Sequence, residues 1–82
     1  MRIQFLSKPG CHLCDQAKPV VRRICEEFSL PWEDINIEKD PDFYEQYKEE
    51  IPVLLIDGKK IFKYLVREED LRRALKNRRG EF

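Results

Sequence analysis

The sequence predicts an α/β protein: a four-stranded mixed sheet with helices on both faces, its elements in the order βαβ, α, ββ, α. Three observations carry that prediction. Short β-rich runs alternate with stretches whose apolar residues recur every three or four positions. An Asp57-Gly58 pair between two such runs is a hairpin signal, which makes the last two strands antiparallel. The first two strands flank a helix-length segment, so they must pair in parallel through a right-handed crossover.

Residues 2–7 (Arg-Ile-Gln-Phe-Leu-Ser) read as the first strand, which Pro9-Gly10 ends. Between residues 12 and 29, Cys14, Ala17, Val21, Ile24 and Phe28 mark one helical face, with Val20 beside it and charges opposite. Pro19 removes one hydrogen bond from that helix and is expected to kink it. Leu30-Pro31 stops it. Residues 32–37 then form a second strand, with Ile35 and Ile37 alternating with polar neighbours.

Asp40-Pro41 supplies an N-cap and a first-turn proline for a short helix reaching about Glu49, with Phe43 and Tyr47 on its inner face. Ile51-Pro52 ends that helix. The unbroken apolar run Val53–Ile56 suits a strand covered on both faces. After the Asp57-Gly58 turn, residues 59–64 return as the fourth strand. The last helix spans 67–77, with Leu71, Ala74 and Leu75 inward, its acids first and its bases last. Residues 78–82 are expected to fray.

The 82 residues make one domain, 1–82, near the small end of what folds alone. Sixteen basic and sixteen acidic residues cancel, so no net field draws in nucleic acid or an anionic membrane. The charges read as a solvated, ion-paired surface. No apolar run approaches membrane-spanning length, and the chain enters its first strand without a signal-like segment. A cytoplasmic monomer is the expectation. In a reducing compartment, three cysteines point to catalytic or metal-binding thiols rather than to a disulfide scaffold.

The chemistry concentrates in Cys11-His12-Leu13-Cys14. A C-x-x-C between a strand and a helix reads as a redox motif. A helix N-terminus favours an anion, so Cys11 is the expected nucleophile, helped by Lys8 and by His12 when charged. Cys14, one turn on, is the expected resolving thiol, although a buried helix residue without a part in turnover is the other reading. For His12 the alternative is an exposed loop side chain. Cys25 lies about 16 Å further along the helix axis at ~1.5 Å per residue, out of reach of Cys14, and reads as a small core residue.

This element order and cysteine placement resemble the thioredoxin fold, and within it a small glutaredoxin-like protein. The residues that carry the likeness are Lys8 three positions before Cys11, Cys11 and Cys14 themselves, Pro19 eight positions after Cys11, Ile51-Pro52, and the stretch Asp34 to Pro41. The resemblance implies a thiol–disulfide oxidoreductase cycling Cys11 and Cys14 between dithiol and disulfide, with a cis proline at Pro52 and substrate contacts from Lys8, His12, Ile51 and Pro52. Its partners would be disulfide-containing proteins or glutathione mixed disulfides, its electron donor glutathione or a thioredoxin-reductase-like flavoprotein, with no tightly bound cofactor.

Two departures stand out. His12-Leu13 occupies the place of the usual Pro-Tyr. The Gly-Gly and acidic residue that hold glutathione in glutaredoxins would fall on Phe62, Lys63 and about Val66. The resemblance also implies an alternative, a [2Fe–2S] cluster or zinc, which would need a dimer or exogenous thiols because one chain offers only Cys11, Cys14 and His12, fewer than a closed four-ligand site requires.

Overall fold

The computed structural model describes residues 1–80. Its elements are β1 (Ile3–Ser7), α1 (His12–Glu27), β2 (Glu33–Asn36), α2 (Pro41–Tyr47), β3 (Val53–Ile56), β4 (Lys59–Lys63) and α3 (Glu68–Arg79), with a 3-10 turn at Ile37–Lys39. The sheet order is β2-β1-β3-β4. β1 pairs with β2 in parallel and with β3 antiparallel, and the β3–β4 hairpin closes the sheet. This is the expected mixed four-stranded sheet.

Burial explains the order. All five residues of β1 and all four of β3 are buried, whereas the edge strands β2 and β4 are half-buried or exposed. A strand hidden on both faces needs cover on both. α1 and α3 pack against each other, and α2 adds Tyr47 to the core with Phe43 packed against it. The core joins Phe5, Leu6, Val21, Ile24, Leu54, Ile56, Leu71 and Leu75, each at most 1% exposed.

Local chemistry sets the boundaries. Asp57 and Gly58 both take positive φ, 52° and 82°, the pattern of a type I′ turn whose twist matches the strands it joins. Asp40 caps α2, its Oδ1 accepting from the Phe43 N–H at 3.1 Å, ahead of Pro41 at the first helical position. Phe43 and Tyr47 then meet along the inner face, their rings tilted by 46° with centroids 6.1 Å apart. α1 continues through Pro19 as a single helix.

Four expectations are corrected. The second strand stops at Asn36, because the Asn36 side chain accepts from the Glu38 N–H at 2.9 Å and turns the chain into the 3-10 segment. Ile37 is fully buried there. α2 ends at Tyr47, and Ala74 in α3 is only half-buried. Arg78 and Arg79 are helical, not frayed: α3 reaches Arg79, Gly80 closes it at φ 78°, and Arg79 lies over the Phe28 ring of α1. The remainder of the expected tail, residues 81–82, lies outside the described residues. β4 also carries a bulge: Leu54 pairs with Phe62 but Leu55 with Lys60, leaving Ile61 as the extra residue.

Candidate active site

The site forms where β1 hands the chain to α1. Strand pairing holds Ser7 in place, and Lys8-Pro9-Gly10 turns the backbone, with Gly10 at φ 82°, a conformation that an L side chain rarely adopts. Cys11 follows as the N-cap of α1. Its Sγ accepts from the Cys14 N–H at 3.2 Å, in the place where a serine or aspartate oxygen sits in an ordinary cap. The helix therefore directs an N–H, and the positive end of its dipole, at the Cys11 sulfur.

Cys14 lies one turn inside, only 2% exposed, while Cys11 is half-buried. Both are free thiols. Burial pushes the Cys14 thiol up to about 12, and its hydrogen bond to the Cys11 sulfur adds to the rise, while a backbone hydrogen bond from Lys8 opposes it. Cys25 is fully buried, and burial pushes its thiol up to about 11.

The other expected site residues divide. Lys8 meets the dithiol through its backbone, His12 is exposed at the first position of α1, and Leu13 is 44% exposed. The Ile51–Pro52 peptide is cis, and both residues are buried. With Leu6 opposite Val53, Pro52 comes level with Ser7, at the end of the sheet from which the Cys11 loop departs. Phe62 packs partly against the core, Lys63 is exposed and Val66 is buried, so none of these three positions offers a carboxylate.

Two features lay beyond the sequence reading. Tyr64 takes φ 68°, its N–H donates to the Pro52 carbonyl at 2.8 Å, and the Leu65 N–H donates to the Lys63 carbonyl at 2.7 Å. That is a γ-turn beside the cis proline, with Tyr64 and Leu65 both exposed. No glycine or proline in the sequence flags it. Beside Cys14 opens a cleft of about 250 Å³, lined among others by Ser7, Lys8, Asp15, Lys18 and Asp34. The Lys18 ammonium meets the Asp34 carboxylate there at 2.8 Å. The only hint in the sequence is Asp15, which follows Cys14 directly.

Among the described residues no three His, Cys, Asp or Glu side chains converge to hold a metal ion. No described helix is long and apolar enough to cross a membrane.

The arrangement is a dithiol with a reachable sulfur at a helix N-terminus and a second, buried sulfur behind it. The profile described as Glutaredoxin-like domain (DUF836) matches residues 2–76. A glutaredoxin-like protein of Dictyostelium discoideum is 34% identical over 77 residues, covering 87% of this chain and 71% of that protein. An X-ray structure of a protein from X. campestris superposes with a TM-score of 0.74 at 22% identity, over 92% of this chain and 96% of that one. Thioredoxin 1 of Thermosipho africanus gives 0.66 at 18% identity, over 96% and 99%. At those identities the structures establish the shared thioredoxin fold.

Proposed function

This chain belongs to the glutaredoxin-like domain family, and on that premise we propose that it is a thiol–disulfide oxidoreductase that reduces protein or mixed disulfides. The observation that carries the reading is the pairing of Cys11 and Cys14: one half-buried sulfur at a helix N-cap, and one buried sulfur hydrogen-bonded to it. Cys11 attacks a target disulfide and forms a mixed disulfide, releasing one thiolate. Cys14, having lost its proton, attacks the Cys11 sulfur. The Cys11–Cys14 disulfide forms, the bond to the target breaks, and the target leaves as its second thiolate, which takes up a proton. Two electrons pass from the dithiol to the target. Pro52, which has no N–H, lies level with the start of this loop, so the backbone around Ile51 can meet an extended substrate by strand-like pairing.

Glutathione, or a thioredoxin-reductase-like flavoprotein, is the electron donor we propose. The cycle is tested by equilibrating the chain with glutathione redox buffers, alkylating, and reading the mass. The expected result is a reversible two-electron transition confined to Cys11 and Cys14. A Cys14→Ser variant should accumulate the Cys11 mixed disulfide, and Cys11→Ser should abolish exchange. Absence of any reversible transition would sink the oxidoreductase reading.

A further inference from the structure

We infer that Asp15 is the proton acceptor for Cys14 in the resolving step, working through the water-open cleft beside that thiol. The inference rests on the dithiol cycle proposed above. Resolution requires Cys14 as thiolate, yet Cys14 is 2% exposed. Burial is the largest cause that raises the Cys14 thiol, to about 12 in the free dithiol, and it persists in the mixed disulfide, so only a small fraction carries the thiolate at neutral pH. Waiting for that fraction is slow. A base within reach of the proton, directly or through one water, removes the wait.

The groups facing Cys14 leave one candidate. From the preceding loop comes Lys8 and from α1 comes Lys18, both cations that cannot accept a proton. From β2 comes Asp34, whose carboxylate is engaged by Lys18 at 2.8 Å. Cys11 is tied up in the mixed disulfide at that moment. His12 does not line the cleft. Asp15 lines it, is exposed to water, and makes no ion pair or side-chain hydrogen bond among the described residues. Its charge nevertheless acts on the Cys14 thiol, opposing ionisation.

That opposition is what makes the assignment testable. A carboxylate beside a thiol raises the equilibrium cost of the thiolate, but it also gives the proton a destination. When Asp15 takes the proton it becomes neutral, so its repulsion disappears as the Cys14 anion forms. The step then balances: the proton moves from Cys14 to Asp15, Cys14 Sγ bonds to Cys11 Sγ, and the Cys11–target bond breaks to release a thiolate. Asp15 returns its proton to water through the cleft.

The two roles of Asp15 predict opposite signs. One equivalent of the aromatic disulfide dithiobis(nitrobenzoate) should release coloured thionitrobenzoate in two phases, first when Cys11 attacks and again when Cys14 resolves the adduct. In Asp15→Asn the first phase should stay within about twofold, while the second slows by roughly a hundredfold, the low end for loss of a general base. Asp15→Glu should restore most of the second phase, and added imidazole should accelerate it in Asp15→Asn but not in the parent chain. An unchanged or faster second phase in Asp15→Asn would overturn the inference, since removing a mere repelling charge speeds resolution. A missing first phase in the parent chain would instead bring down the dithiol reading, and this inference with it.

Discussion

Cys14 and Cys25 hold sulfurs that water hardly reaches, and their environments set how the thiols respond to pH. Burial pushes them up to about 12 and about 11 from an ordinary 9.0. Near pH 8 fewer than roughly one in a thousand of either is ionised, and neither is open to a reagent. Iodoacetamide should therefore label the native chain once, at Cys11, and the urea-unfolded chain three times, as read by intact mass. The same shifts make stability depend on alkaline pH. In the unfolded chain both thiols ionise near 9, whereas in the folded chain they remain protonated, so the unfolded state binds fewer protons across that interval. Stability contributed by these neutral thiols is complete below about pH 9 and falls as pH rises toward 11 and 12. Urea midpoints should drop steadily over that window. Cys25→Ala should start lower, because it leaves a small cavity, and should lose less on the way up.

At the scale of elements, the ends of the helices carry more information than their middles. α1 finishes in a Schellman arrangement: the Ser29 N–H donates to the Glu26 carbonyl at 3.0 Å and the Leu30 N–H to the Cys25 carbonyl at 2.8 Å. The residue that must turn left-handed is Ser29, at φ 56°, where a Cβ is unwelcome. Ser29→Gly should stabilise the protein by about 0.5–1 kcal/mol, the left-handed cost of about 1–2 kcal/mol less what glycine loses in chain entropy. In α2 the reverse holds. Asp40→Ala removes the cap on Phe43 and should cost about 1 kcal/mol. Paired urea melts of the two variants check both signs.

Across the whole molecule, α1 and α3 are clamped by charge as well as by packing. Arg72 donates to both Glu27 oxygens, at 2.7 and 3.0 Å, and Arg23 meets Glu68 at 3.0 Å. The hydrogen bond from Arg72 holds the Glu27 carboxyl below its ordinary value, and Arg2 and Lys60 do the same for Glu33 and Glu50. Depressed carboxyls contribute stability that is present above the ordinary glutamate range and lost as pH falls through their folded-state values. These pairs are exposed, so the effect should be modest and weakened by salt. Arg72→Met should lower the urea midpoint at neutral pH, and the gap from the parent chain should close as the pH falls below the ordinary carboxyl range. A gap that persists in acid would mean that Arg72 acts through its packing instead.

Most of the architecture was legible because its signals are local. The three-and-four spacing from Cys14 to Phe28, the Asp57-Gly58 turn and the Asp40-Pro41 start each act through hydrogen bonds or faces defined within a few residues. The cysteine pair was legible for the same reason, since Cys11 and Cys14 are one helical turn apart and the cap that joins them is local. Two element ends differ from the pattern for different reasons: the Asn36 side chain caps the next turn in place of strand pairing, a local competition that an alternating apolar pattern does not register, and α3 runs on to Arg79, which lies over the distant Phe28 ring. Only the tertiary structure decided what surrounds the buried thiol. Lys18 and Asp34 are distant in the chain, and Tyr64 reaches Pro52 only because β3 and β4 pair with a bulge. Such contacts depend on which surfaces the packed sheet and helices bring together, and no local propensity encodes that meeting. The sequence by itself determined the elements and the two thiols, and the packing decided which charges Cys14 faces.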